Sequence, residues 1–270
     1  VDREHHQTVM LAVDVSISMR AQDVAPDRIT AAQQAAMTFV REQPRNTRIG
    51  VVQYAGTAAL VQPPTSSLDD VLAAIERLQL NRATAIGSGI LVSLMALFPE
   101  LKVDLTPPRN QRGEPMPLRG RPPPIRVVDS PDFVPVAPGS NTSAVIVLLT
   151  DGQNTTGPDP IEAARIAAER GIRIYTVGIG TPEGQMIQFE GWQVRVRLDE
   201  ETLKQVSAMT HAEYFHAASA DELHRIYQAL NARFAMERKQ TEVTSLVSAA
   251  AGLMSILASL LSLLWFNRLF

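Results

Sequence analysis

The stretch TVMLAVDVSIS, residues 8–18, decides the fold. Within it, 8–15 (TVMLAVDV) is a short, mostly apolar and β-branched run, and three more follow: 49–54 (IGVVQY), 144–150 (AVIVLLT) and 173–179 (RIYTVGI). A strand with one wet face alternates apolar and polar residues, whereas a continuous run fits a strand covered on both faces. Helical patterns fill the gaps. Residues 27–43 repeat apolar positions at Ile29, Ala32, Ala36, Phe39 and Val40. Ser67-Leu-Asp-Asp70 reads as a capping box opening a helix to Leu80, and 87–98 is a further helix. Asp159-Pro160-Ile161-Glu162 supplies an N-cap, a first-turn proline and an acid, and Gly171 closes that helix. Residues 199–209 form a short helix, 213–216 a short last strand, and Ser219-Ala-Asp-Glu222 caps a final helix. The alternation predicts an α/β protein with a doubly wound, mostly parallel sheet and right-handed crossovers.

Composition narrows the function. With 45% hydrophobic and 20% charged residues, the 270-residue chain has material for a sizeable core and is no disordered polymer. Lys+Arg 25 against Asp+Glu 28 gives a net charge of −3, so nothing global favours a nucleic-acid partner. The absence of cysteine excludes disulfides, thiolate metal sites, iron–sulfur clusters and a cysteine nucleophile. A chain that starts at Val1 rather than Met is expected to be processed or truncated, with room upstream for a signal or an anchor.

Three segments stand apart from the alternation. Residues 99–143 hold eleven prolines together with Arg109, Arg112, Arg119, Arg121 and Arg126, a polar insertion expected to be disordered or extended. Residues 185–197 carry two alternating runs around Glu190-Gly191 and predict a β-hairpin, with Trp192 either a partner anchor or packed on the domain. From Val243 to Phe266, 24 residues pass without a charge, long enough for a transmembrane helix, and Trp265 and Phe266 mark its far end. Small residues recur there at Ser245, Ser248, Gly252, Ser255, Ser259 and Ser262. That stripe either packs against a second membrane helix or consists of serines bonding their own backbone. The expected organisation is thus one domain over 1–241, containing the insertion and the hairpin, and a membrane helix over 243–266.

The chemistry sits at strand ends. In an open α/β sheet, ligands bind beyond the carboxyl ends of the strands. The first strand ends in Asp14-Val15-Ser16-Ile17-Ser18, the strand 144–150 runs into Asp151-Gly152, and the loop before helix 87–98 carries Thr84 in Thr84-Ala-Ile-Gly87. Two carboxylates and three hydroxyls make a set of hard oxygens that suits Mg²⁺ or Mn²⁺, and Ca²⁺ less well. Two carboxylates balance a divalent charge, so an open coordination position stays electrophilic enough to take a carboxylate from another protein. Competing motifs are weaker. Gly178-Ile-Gly180-Thr-Pro-Glu-Gly184 has the wrong spacing for a dinucleotide loop. An aspartyl phosphatase would want an acid where Ser16 stands, and there is no nucleophile elbow. The histidines His5, His6, His211, His216 and His224 show no metal spacing.

Asp14-x-Ser16-x-Ser18 at a strand end, then Thr84 and Gly87, then a strand ending Thr150-Asp151-Gly152, resembles the metal-ion-dependent adhesion site of von Willebrand factor type A domains. The resemblance covers about residues 8–235. It implies that Ser16, Ser18 and Thr84 coordinate directly, and that Asp14 and Asp151 bind directly or through water. The stretches MLAVDVSISMRAQDVAPDRITAA, RIGVVQYAGTA, TAIGSGI, LLTDGQNTTGPDP and GIRIYTVGIG are similar to the bacterial aerotolerance-type (Bat) membrane proteins, as is LDEETLKQVSAMTHAEYFHAASADELHRIY. Ile17 stands where that family commonly has glycine, and His211-Ala212 replaces a usual Gly-Gly.

This resemblance implies a non-enzymatic module in the bacterial inner membrane. Its Mg²⁺ site would capture a partner's carboxylate during assembly or maturation of a complex with a MoxR-class ATPase. Lys/Arg counting around the span favours a cytoplasmic domain, and the resemblance favours a periplasmic one. A metal-assisted phosphoryl or ester hydrolase and an adhesion receptor are the rival readings.

Overall fold

The structure, a computed structural model, describes residues 7–44, 46–104, 122–128, 133–151, 153–181, 185–189, 192–196 and 198–234, with 254–256, 258–259 and 261–262. The chain divides into two compact units, Val1–Gln228 and Ala229–Phe270.

In the first unit the elements run in chain order as β1 (Gln7–Asp14), a 3₁₀ turn (Ile17–Arg20), α1 (Arg28–Arg41), β2 (Thr47–Tyr54), β3 (Ala58–Thr65), α2 (Leu68–Glu76) and α3 (Ile86–Leu97). There follow β4 (Lys102–Asp104), β5 (Arg126–Val128), β6 (Ala144–Thr150), α4 (Pro160–Glu169), β7 (Arg173–Ile179), β8 (Gln185–Phe189), β9 (Trp192–Val196), α5 (Glu200–Met209) and β10 (Tyr214–Ala217). A further helix occupies 220–234. Six strands form one sheet in the order β10-β7-β6-β1-β2-β3, parallel except for β3. The doubly wound, mostly parallel sheet read from the sequence is therefore the fold.

The continuous apolar runs are buried on both faces, as their pattern requires. Met10 and Ala12 of β1 pack in one layer with Ile146 and Leu148 of β6, Ile90 and Leu94 of α3, Ala163 and Ala167 of α4, and Leu203 of α5. Val9, Leu11 and Val13, which point to the opposite face, are equally inaccessible. α1 and α2 lie together, with the Gln33 side chain donating to the Ile75 carbonyl at 2.9 Å, and the Phe39 and Tyr227 rings meet with centroids 5.2 Å apart.

Local chemistry fixes the helix ends. Asp27, Ser67, Asp159 and Asp199 each accept a backbone N–H of the following turn. Ser219 caps the last helix by accepting the Glu222 N–H at 3.1 Å, and Glu222 Oε2 reaches back to accept the Ala218 N–H at 2.8 Å. α2 stops at Glu76 rather than reaching Leu80, because the chain must turn back for Asn81 to pair with Ser16 beside β1. β3 was not legible in the sequence. It is the antiparallel edge strand, half-exposed and interrupted by Pro63 and Pro64, so it lacks both apolar continuity and clean alternation.

Part of the insertion lies within the described residues. Lys102–Asp104 pairs antiparallel with Arg126–Val128, while Arg109, Arg112, Arg119 and Arg121 lie outside the described residues. The hairpin is present, with Gln185–Phe189 antiparallel to Trp192–Val196; the Glu190-Gly191 turn and the Trp192 side chain are outside the described residues. His5 and His6 are outside them too. So is most of 243–266, including Ser248, Gly252, Trp265 and Phe266. Among the described residues no helix is long and apolar enough to cross a membrane. Those described between 254 and 262 are helical, and the Ser259 hydroxyl donates to the Ser255 carbonyl at 2.8 Å, the backbone-bonding reading of that serine.

α4 and α5 end in the same motif with different residues. After α4, Gly171 at φ +69° donates to the Ala168 carbonyl and Ile172 to Ala167. After α5, His211 at φ +56° donates to Ala208 and Ala212 to Ser207. Both are Schellman closures, whose pivotal residue favours glycine because a Cβ is strained in the left-handed region. Replacing His211 with Gly is expected to raise stability by about 0.5–1 kcal/mol, read as a higher Tm in thermal unfolding. A lower Tm would contradict this account of the turn.

Candidate metal centre

β1 leads by its crossover to β2 on one side, and β6 leads to β7 on the other. The gap between the carboxyl ends of β1 and β6 is therefore the switch point of the sheet, where ligands of open α/β folds bind. Asp14 closes β1 and Asp151 follows β6, and both are fully buried.

The turn after β1 gathers oxygens. Asp14 Oδ1 accepts the Ser16 N–H at 2.8 Å, and Asp14 Oδ2 accepts the Thr150 hydroxyl at 2.7 Å. The Met19 and Ala21 amides bond back to the Ser16 and Ser18 carbonyls, which rolls the chain into the 3₁₀ turn. That roll brings Ser16 Oγ and Ser18 Oγ within 2.7 Å of each other.

Thr84 is held by its backbone. The Asn81 N–H donates to the Val15 carbonyl at 2.7 Å, so the loop 81–85 runs beside the serine turn. Thr84 N–H donates to Thr155 Oγ1 at 2.8 Å, and its carbonyl accepts the Thr155 and Thr156 amides at 2.9 and 3.1 Å. α3 has no capping side chain of its own; Asn154 Oδ1 takes the Ile86 N–H at 2.9 Å instead. A Cβ at Gly87 would lie 2.4 Å from the Pro158 carbonyl oxygen, so glycine is what lets this loop close on Thr84. The structure thus brings Asp14, Ser16, Ser18 and Asp151 together and clamps the Thr84 loop beside them.

Two buried carboxylates at one point repel. Burial first, and then the charge of Asp151, pushes the Asp14 pKa up to about 7, against the pull of its hydrogen bonds from Ser16 and Thr150. Burial likewise raises Asp151, although the Ser18 hydroxyl, Arg28 and the Gln153 amide oppose it. Asp151 Oδ2 meets Arg28 Nη1 at 3.3 Å, but Asp151 Oδ1 is buried with no hydrogen-bond partner. Native proteins rarely leave such an atom orphaned, and an ion is one explanation. Among the described residues no group of three or more His, Cys, Asp or Glu is placed to hold a metal; this set relies on hydroxyls. Two carboxylates, hydroxyls and an orphaned carboxylate oxygen fit a hard dication.

Sequence reasoning missed Arg28, Asp23 and Asn154. Arg28 is fully buried, and it gave a signal. It lies on the helical stripe that continues through Ala32, Ala35 and Phe39, where a cation is out of place unless an acid awaits it.

Fold and site together define a von Willebrand factor type A domain protein. Family models of that domain match residues 9–113 and 136–229. A UPF0353 protein of Mycolicibacterium paratuberculosis is 33% identical over 267 residues, 97% of this chain and 70% of its own length. The chain belongs to the UPF0353 family. It spans 61% of the length of the matching Mycolicibacterium gilvum relative.

Among solved structures, BatB of Bacteroides thetaiotaomicron is 25% identical with TM-score 0.63, covering 86% of this chain and 99% of that one. An aerotolerance-related membrane protein of Bacteroides fragilis is 24% identical with TM-score 0.60, over 85% and 99%. A mussel byssus proximal thread matrix protein, solved with zinc in its metal-ion-dependent adhesion site, shares the fold at 20% identity and TM-score 0.54, over 84% and 45%. The chain is thus a type A domain protein close to the Bat proteins.

An acid whose folded pKa lies above its unfolded value binds more protons when folded. Asp14 therefore contributes stability that is fully present below the ordinary carboxylate range and is lost as pH rises towards about 7. In chelator-treated protein, Asp14→Asn, which mimics the protonated acid, is expected to melt above wild type at about pH 8 and to lose that margin towards about pH 4. A margin independent of pH would show that Asp14 does not titrate in this window.

Proposed function

We propose that the chain is a membrane-anchored binding module in which Asp14, Ser16, Ser18, Thr84 and Asp151 hold Mg²⁺, with Mn²⁺ or Ca²⁺ as substitutes. The observation that carries the reading is Asp151 Oδ1, buried and unpartnered beside a second buried carboxylate. When bound, the ion would supply an electrophilic centre for one carboxylate oxygen of a partner protein. Asp14 and Asp151 would balance its charge, and the hydroxyls of Ser16, Ser18 and Thr84 would add neutral oxygens. The Thr150 hydroxyl keeps Asp14 Oδ2 in place.

The module is read as a non-enzyme working with a MoxR-class ATPase in the assembly or maturation of a complex. The charge-free segment 243–266 serves as its anchor in the bacterial inner membrane, with helix association through Ser248, Gly252, Ser255 and Ser259 and the domain on the periplasmic side. The resemblance to Bat membrane proteins supports anchor and partner alike.

Calorimetry on the purified chain is expected to show saturable Mg²⁺ uptake that weakens at least about tenfold in Asp14→Ala and in Asp151→Ala, since each removes a charged ligand. No heat with any divalent ion would end the reading. Metal-dependent recovery of an ATPase from native membranes, lost with Asp14→Ala, would support the partner. An extracellular ligand would favour an adhesion receptor instead.

A further inference from the structure

Arg28 joins two parts of the site-bearing edge that the chain keeps far apart in sequence. Its guanidinium is a rigid planar fork. Nε and Nη2 hold the two oxygens of Asp23 at 2.8 and 2.7 Å, while Nη1 reaches Asp151 Oδ2 at 3.3 Å. Asp23 Oδ2 also accepts the Thr181 amide and hydroxyl at 3.0 and 3.1 Å. Burial pushes Asp23 up, but Arg28 and Thr181 outweigh it and hold the group below its ordinary range, as a committed ion-pair acceptor. Gly180 leaves the fork no slack. Its backbone sits at φ +130°, and a Cβ there would lie 2.5 Å from Arg28 Nη2. Thr181 follows Gly180 at the end of β7, shortly before β8 opens the hairpin. Hydrogen bonds therefore run without a break from Asp151 through Arg28 and Asp23 to Thr181, four residues before β8.

We propose that Arg28 is a positioning residue that couples dication binding at Asp151 to the base of the 185–196 hairpin, through Asp23 and Thr181. The inference rests on the metal reading above. The two grips of the fork are unequal, and the longer one is on Asp151. A dication takes over part of the Asp151 charge and slackens that contact. The guanidinium is then committed to Asp23, and Thr181 is held more firmly. Because coupling is reciprocal, anything that fixes the hairpin base tightens the ion. β7 runs parallel to β6, so the hairpin leaves from the edge where a partner's carboxylate would arrive. The coupling makes ion loading and partner engagement cooperative.

The test is hydrogen exchange at the Thr181 amide in the full chain, with calorimetry run in parallel. Saturating Mg²⁺ is expected to slow that exchange about fivefold or more in wild type. Arg28→Lys keeps the charge without the fork, and Asp23→Asn keeps the shape without the charge. Both are expected to bind Mg²⁺ with no slowing at Thr181. Wild-type protein that binds Mg²⁺ with unchanged exchange would overturn the coupling, as would either variant that keeps the slowing. Wild-type protein that binds no Mg²⁺ would overturn the metal reading and this inference with it, so the two failures are distinguishable.

Discussion

The repulsion between Asp14 and Asp151 is the constraint to which the rest of the site answers. Parallel strands start and stop together, so residues that end neighbours β1 and β6 meet at the switch point. Placing an acid on each creates a buried pair that cannot both ionise cheaply without a counter-charge. Among the described residues Arg28 is the cation paired with Asp151, and it is already matched by Asp23. Counting the four groups leaves a deficit that suits a divalent ion, and the hydroxyls of Ser16, Ser18 and Thr150 add polarity without charge. A third carboxylate among the ligands would satisfy the ion internally and blunt its attraction for an outside acid.

Helix placement adds to this. α1 follows the parallel strand β1, and α3 opens from the loop that Asn81 ties to the Val15 carbonyl, so both helices begin at the edge that carries the carboxylates. The partial positive charge there favours anions, both the buried pair and any carboxylate that arrives. α3 shows the arrangement most directly. Its N-cap position is Ala85, with no side chain able to cap, and Asn154 from the loop after β6 does the work. The helix and the Asp151 loop are thereby fastened to one another, and Thr84 is caught between them.

Legibility followed burial. The four mostly apolar runs matched β1, β2, β6 and β7 within a residue or two, because burial on both faces favours apolar residues at successive positions. Capping residues located α2, α4 and the helix over 220–234 for a similar reason, since an unsatisfied helix end restricts the residue type allowed there. β3 escaped because an edge strand tolerates Pro63 and Pro64 and exposes half its length. At the site, Asp14, Ser16, Ser18 and Asp151 could be found because strand ends are where the fold puts ligands. Arg28 could not be paired with them, since its partner Asp151 lies 123 residues away in the chain. Only the folded sheet brings the two together. The role of Asn154 was equally hidden, being a cap supplied to another element's helix.

The two edges of the sheet are used differently, and the insertion shows why. α3 runs from the site edge to the opposite one, so the chain after Leu97 emerges far from Thr84. The return limb is tied down there. Val136 donates to the Glu169 carbonyl and Asn141 to the Gly171 carbonyl, both at the end of α4, and the Arg170 guanidinium stacks 4.4 Å from the centre of the Phe133 ring. These contacts hold residues 133–141 against the edge where β1 and β6 begin. The opposite edge is built differently: the serine turn and the loops after β1 and β6 take their geometry from hydrogen bonds of 2.7–3.3 Å around two buried acids.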